Sequence, residues 1–253
     1  MRFAALGSGS QGNGLIVEKE GCRLLVDCGF GLADAIRRLQ RLGLEPSDLN
    51  AVLVTHEHDD HMGGVARLAA EYALPIWMTP GTLRGMERRF EGREVNFIEG
   101  YQPFSVGDLH VTPYPVPHDA REPSQFIFSD GRQRPGLLTD AGAVTPHMVN
   151  TLTGCDALLL ECNHDADLLK GGRYPEMLKR RIAGKWGHLD NDAAMDVLRA
   201  VGAGQLRMVV GMHLSEENNR PELVQASIRQ TLGNFDGDIA IADQQTGTPW
   251  FSL

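Results

Sequence analysis

The sequence predicts an α/β protein in which two mixed sheets carry helices on their outer faces. Strand-like and helix-like runs alternate along the whole chain without settling into plain βαβ repetition or an all-β pattern. Hydrophobic residues make up 42% of 253 positions, enough for a sizeable core, and α/β domains of this length are common. AVLVT, ALLLEC and RMVVGMH are short and almost wholly apolar, as expected of strands buried on both faces.

Taken in order, RFAAL, GLIVE and CRLLVDCG read as strands, and GLADAIRRLQRLG repeats apolar residues at helical spacing up to Gly43. AVLVT is a buried strand, GGVARLAAEYA a helix, PIWMT a strand and TLRGMERRF a helix. A β-rich middle follows in VNFIE, PFSVGDLHVTPYPV, QFIFSD and GLLTD, broken by Pro and Gly. ALLLEC and RMVVGMH are buried strands, whereas PEMLKRRIAG, NDAAMDVLRAVG and PELVQASIRQTLG are helices; IAIAD and PWFSL close the sequence as strands. No repeat, low-complexity tract or long linker interrupts this order, so we expect one domain over residues 1–253.

Composition narrows the function classes. No run of about 18 apolar residues argues for a membrane span. The opening MRFAALGSGSQGN lacks the layout of a secretory signal, so a cytoplasmic location is expected. Cys22, Cys28, Cys155 and Cys162 form no CxxC pair, which gives neither a disulfide framework nor a thiolate zinc site. The net charge of −9 repels a nucleic-acid backbone overall, so any polyanion must bind through a local feature. One candidate is residues 168–187, where Lys170, Arg173, Lys179, Arg180, Arg181 and Lys185 face a single acid, Glu176; a solvated helix face is the plainer reading.

GSGSQG at 7–12 satisfies G-x-G-x-x-G after a strand. A dinucleotide site needs a helix next, and here Asn13 and Gly14 lead into LIVE, a second strand. The loop still suits close ligand approach, with Ser8, Ser10 and Asn13 as candidate substrate-binding donors.

The segment VLVTHEHDDHMGG, residues 52–64, carries the chemistry. Three imidazoles and three carboxylates occupy six consecutive positions after a buried strand. In extended backbone, residues two apart share a side, so His56 and His58 can address one ion while Glu57 and Asp59 point elsewhere. Asp60 and His61 can then reach a second position as the chain turns toward a helix near Gly63. Six such residues would repel one another without cations, which argues for a two-metal motif. Further ligands are expected at strand ends, and His118 in VPHDA, Asp140 in LLTDAG and His213 in GMHLSEENN stand there.

This succession, HEHDDH, PHDA, LLTDAG and GMHLSEENN, with LLVDCG before it, resembles the metallo-β-lactamase superfamily from residue 24 to His213. The resemblance implies a four-layer αβ/βα sandwich of two mixed sheets. It implies that His56, His58 and His118 bind one metal, Asp60, His61 and His213 a second, and that Asp140 bridges them. Asp27 would be a structural aspartate behind the ligands. GSGSQGN, ECNHD, GHLDN and HLSEENN resemble the YycJ/WalJ-like branch, described as probable phosphodiesterases or exonuclease-like nucleases; that branch usually shows GHLSN where this chain has Asp190.

Two divalent ions, Zn²⁺ or Mn²⁺, would turn a bridging water into hydroxide at neutral pH and clamp the scissile group. Asp60 would orient that nucleophile, and His188 and His164 are candidates for leaving-group protonation or substrate contact. His110 and His147 read as surface residues. Asp140, rather than a thiolate, and the H-x-H spelling separate the chain from several superfamily branches, as do the 73 positions from Asp140 to His213, too few for a large inserted domain. The expected function is a dinuclear phosphodiesterase acting on nucleic acid in 5′-3′ exonuclease fashion. Hydrolysis of a small ester, thioester or lactam and a non-catalytic, metal-stabilised interaction protein stay open. The sequence does not set the oligomeric state.

Overall fold

A computed structural model describes residues 1–84 and 86–253. The chain lays down β1 (Arg2–Gly7), β2 (Gly14–Lys19), β3 (Cys22–Val26), β4 (Ala51–Leu53), β5 (Ile76–Met78) and β6 (Val95–Phe97) in a first sheet. It continues through β7 (Phe104–Val106), β8 (Leu109–Pro115), β9 (Ser124–Ser129), β10 (Pro135–Leu138), β11 (Ala157–Glu161), β12 (Met208–Met212) and β13 (Asp238–Ile241) in a second. β14 (Phe251–Ser252) then returns to the first sheet beside β1. The spatial orders are β14-β1-β2-β3-β4-β5-β6 and β13-β12-β11-β10-β9-β8-β7. Each sheet is antiparallel over one half and parallel over the other. The expected pair of mixed sheets is therefore present.

Strand periodicity assigns each buried side chain to a layer. Leu24, Leu53, Phe126, Phe128, Leu159 and Val210 belong to the core between the sheets. Their neighbours Leu25 and Val52 face α1 (Leu32–Arg41) and α3 (Val65–Tyr72) outside the first sheet. Leu158, Leu160 and Val209 face α6 (Pro146–Leu152), α9 (Asn191–Val201) and α10 (Pro221–Leu232) outside the second. The result is helix, sheet, sheet, helix, in four layers. Truncating Phe126 or Phe128, both buried, would cost about 3–5 kcal/mol.

Three local readings change. A short helix, α2 (Asp59–Met62), begins inside HEHDDH, so the helix expected near Gly63 is preceded by a turn that already carries Asp60 and His61. TLRGMERRF, expected as one helix, is represented by α4 (Pro80–Leu83) and α5 (Glu87–Phe90), while its Gly85 lies outside the described residues. AVLVT leaves the strand ladder after Leu53, because Thr55 turns its amide to Asp27 Oδ1 at 2.8 Å. Two more helices, α7 (Ala166–Gly171) and α8 (Glu176–Ile182), carry the basic run. Asp190 caps α9, its Oδ1 accepting from Ala193 N at 2.7 Å, which a serine hydroxyl at that position would also do. Among the described residues, no helix is long and apolar enough to cross a membrane.

Candidate metal centre

The parallel halves of the two sheets deliver their strand ends to one rim, and the candidate ligands stand in the loops there. Asp27 follows β3, His56 and His58 follow β4, Asp140 follows β10, Glu161 ends β11 and His213 follows β12. Asp27, Asp140 and His213 adopt left-handed backbone, with φ of 59°, 51° and 54°. Asp and His tolerate that region better than most residues, and such strain concentrates at working sites.

The loop 56–61 is fixed by its backbone. Cys28 N donates to His61 O at 2.7 Å, Asn13 N to Asp60 O at 2.8 Å, and Gly64 N to Cys28 O at 2.7 Å. Asp60 O passes so close to Gly29 that a Cβ there would lie 1.9 Å from it. Gly29 is therefore needed for space.

Hydrogen bonding sets the ring tautomers. Buried Asp27 is an acceptor, so Thr55 Oγ1 donates to its Oδ2 at 2.8 Å and in turn accepts from His56 Nδ1 at 3.0 Å. His61 Nδ1 donates to the same Asp27 Oδ2 at 2.8 Å, and His118 Nδ1 to Gly187 O at 3.0 Å. His56, His61 and His118 thus each present an Nε2 lone pair to the centre. His58 Nδ1 lies 3.0 Å from His56 Nε2 and 3.3 Å from His118 Nε2. One imidazole hydrogen cannot satisfy both lone pairs, whereas a cation would engage all three rings.

A second group adjoins the first. Asp60 Oδ2 is 3.5 Å from His61 Nε2 and 3.7 Å from His213 Nε2. Between the groups sits Asp140, its Oδ2 3.1 Å from His61 Nε2 and 3.0 Å from His213 Nδ1, its Oδ1 4.0 Å from His118 Nε2. The donor atoms of His56, His58 and His118, and those of Asp60, His61 and His213, lie within 4.8 Å of one another in each set. All seven predicted ligands are brought together. Nitrogen and carboxylate donors of this kind fit Zn²⁺ or Mn²⁺.

The metal-free electrostatics follow from burial and neighbours. Burial opposes charge on His61, but Asp140 and Asp27 outweigh it and hold the imidazole well above its ordinary range. Burial pushes His56 well below that range. Burial alone would raise Asp140, yet His213 and His61 hold its carboxyl well below the usual values.

The remaining candidates divide. Ser10 lines an open cleft of about 440 Å³ above the ligands, together with His58, Asp60, Asn163, Arg181 and His188. Ser8 and Asn13 are buried beneath it: Ser8 Oγ accepts from His213 N at 2.8 Å, and Asn13 Nδ2 lies 3.0 Å from His61 Nε2. His164 is buried too, Nδ1 3.3 Å from Asn163 Oδ1, and is absent from the cleft lining. His188 Nδ1 lies 2.8 Å from Glu161 Oε1, to which it donates. Burial opposes protonation of His188, but Glu161 and Asp140 push its pKa up to about 9. A slightly larger cavity, about 480 Å³ near Leu206 and Phe235, adjoins none of the ligand groups.

The sequence assigns no role to Glu161, the first residue of ECNHD. Its Oε2 also accepts from Ala141 N at 2.8 Å, tying the Asp140 loop to the His188 loop. The signal was available, a lone carboxylate ending an apolar strand. Asp119, next to His118, was missed as well; it pairs with Arg181 Nε at 2.7 Å on the cleft wall.

With this geometry in hand, comparison places the chain among known proteins. Residues 22–213 match the family described as "Beta-lactamase superfamily domain". The chain is 35% identical over 240 residues to exodeoxyribonuclease YycJ of Bacillus anthracis, covering 92% of this chain and 89% of that protein. It is 32% identical over 246 residues to exodeoxyribonuclease WalJ of Streptococcus pneumoniae serotype 2, covering 95% and 91%. In structure it resembles the metallo-beta-lactamase fold protein YhfI of Bacillus subtilis, with TM-score 0.76, 18% identity, and coverage of 99% and 98%.

Proposed function

Because this chain belongs to the beta-lactamase superfamily, we propose that it is a metal-dependent phosphodiesterase that removes nucleotides from DNA in the 5′-3′ direction. The observation that carries the reading is the convergence of two ligand groups on the floor of an open cleft. The exodeoxyribonuclease relatives, alike over nearly the whole chain, select the bond among those such a centre can hydrolyse.

His56, His58 and His118 would hold one divalent cation, Asp60, His61 and His213 the other, with Asp140 between. Such a pair, zinc or manganese, supplies an acidified water and stabilises charge on the phosphoryl oxygens. The chain's own residues do the rest. Asp60 accepts a hydrogen bond from the attacking water and orients it. His188, its Nδ1 held by Glu161, offers its other nitrogen to the cleft and gives a proton to the departing sugar oxygen. Ser10 contacts substrate at the cleft rim, while Ser8, Asn13 and His164 position the loops behind it.

Oligonucleotides labelled at either end, incubated with the zinc- or manganese-reconstituted protein, test the reading. Progressive release of nucleotides from the 5′ end is expected, with S-lactoylglutathione and nitrocefin left intact. Inert DNA alongside turnover of either small substrate would overturn it.

A further inference from the structure

A nucleic-acid substrate must enter a cleft whose own charge opposes it. Asp59, Asp60, Asp119 and Asp140 line its wall, in a chain of net charge −9. Divalent cations held by the ligand groups would offset Asp60 and Asp140, but Asp59 and Asp119 belong to neither group. Against them stands Arg181, the one arginine or lysine among the described residues that line the cleft. Helical spacing brings it there: Leu178, Arg181 and Ile182, at i, i+3 and i+4 of α8, share the face turned to the cleft.

The guanidinium is aimed. Its Nε donates to Asp119 Oδ2 at 2.7 Å, and Asp119 is itself tied down, its N donating to Trp186 O at 2.9 Å. The other carboxylate oxygen, Asp119 Oδ1, lies 3.5 Å from His118 Nε2 and 3.8 Å from His58 Nε2. A single carboxylate therefore spans the gap between the guanidinium and the first ligand group. Stability does not account for the pair: the Arg181 side chain is 62% exposed and that of Asp119 30%, and an ion pair so open to water adds little. The bond through Nε leaves both terminal nitrogens of the planar fork, whose N–H groups match the spacing of two phosphate oxygens.

We infer that Arg181, aimed by Asp119, binds the substrate phosphate adjacent to the one under attack. With the scissile phosphoryl group at the ligand groups, the guanidinium stands one carboxylate away and takes the next phosphate along the strand. The inference rests on the exonuclease reading and adds a second anchoring point to it. A substrate with a single phosphorus cannot use this contact, so a neighbouring phosphate becomes part of what the cleft selects. Phosphates carry no base identity, so the contact fixes the position of the strand without sequence preference.

Calorimetry on the metal-loaded protein tests this with probes that contain no phosphodiester bond. Thymidine 3′,5′-bisphosphate, whose two phosphates flank one nucleoside as they do in a strand, should bind about tenfold more tightly than the 3′- or the 5′-monophosphate. Arg181→Ala should abolish that gain, and Arg181→Lys, which keeps the charge and loses the fork, should restore part of it. In steady-state cleavage of DNA, Arg181→Ala should raise KM about tenfold, equal to ~1.4 kcal/mol. Its kcat, metal content and melting temperature should stay near the parent's, because the contact is made equally before and during the reaction. Asp119→Asn, which frees the guanidinium, should raise KM in the same direction by a smaller factor. A bisphosphate gain that survives Arg181→Ala would overturn the inference, as would a variant that loses metal and kcat with KM unchanged. If the unaltered enzyme cleaves DNA yet shows no bisphosphate gain, the phosphate contact falls and the exonuclease reading stands. Failure of the unaltered enzyme to cleave DNA would instead sink the exonuclease reading.

Discussion

Replacing Gly29 by alanine would disturb the centre without touching a ligand. The added Cβ would lie 1.9 Å from Asp60 O and 2.4 Å from Asp60 C. Both are backbone atoms, so no side chain can swing aside. To reach even 3.0 Å, the closest approach real Cβ atoms tolerate, the 56–61 loop must retreat by about 1.1 Å. That movement stretches the 2.8 Å bond from Asn13 N to Asp60 O and the 2.7 Å bond from Cys28 N to His61 O. A displacement of about 1 Å in a reacting group costs roughly 100-fold in rate. Overpacking of this kind costs ~1–3 kcal/mol, which for a chain of this size lowers the melting temperature by roughly 2–12 °C. Elemental analysis, thermal melting and hydrolysis of bis(p-nitrophenyl) phosphate would be read together. Gly204→Ala, where an added Cβ meets nothing within 4 Å, serves as the control. Full metal content, unchanged melting and activity within twofold of the parent would refute the claim that Gly29 sets the position of Asp60.

Asp27→Asn should lower metal affinity by roughly 10–100-fold, measured by chelator competition, because the neutral amide no longer orders Thr55, His56 and His61. An unaltered affinity would show that the tautomers are set elsewhere. Glu161→Gln removes the charge that raises His188 to about 9. Since the protonated ring is the donor, activity is present below its pKa and lost above it, so the alkaline limb of the pH–rate profile should move to lower pH; an unmoved limb would exclude His188 as the acid. Stripping the metals with a chelator should lower the melting temperature. At a thousandfold excess over Kd one site contributes ~4 kcal/mol, or about 8–16 °C here, and calorimetry finding no shift would contradict a loaded centre in the folded protein.

How much of this was readable beforehand depends on the range of each interaction. The pairing of His56 with His58 follows from residues two apart, and their shared target could be read directly. His118, Asp140 and His213 could be anticipated at strand ends because apolar runs mark where strands stop. The left-handed backbone at Asp27, Asp140 and His213 could not, since loop contacts impose it after the sheets have formed. Glu161 reaches from the end of β11 to Ala141, after the neighbouring strand, and to His188, in the loop before α9, a coupling that periodicity within one strand does not encode. Likewise α2 starts at Asp59, where His61 O accepts from Cys28 N and Gly64 N donates to Cys28 O, contacts between distant segments. The layers themselves were legible, as strands covered on both faces announce a neighbour on each side.

The register of the second sheet has a consequence for engineering. Leu138 pairs with Leu160, and Glu161 with Met212, so a residue inserted near those strand ends would throw the donors that follow out of alignment. The turns that enter the same strands lie at the far pole, where Gly131, Gly154 and Gln205 border an open depression. A peptide tag or fluorescent probe spliced into the turn at Gly204, before β12, where an added Cβ meets nothing within 4 Å, would sit a full strand length from the chemistry. The molecule thus has a pole open to grafting and a pole that admits none.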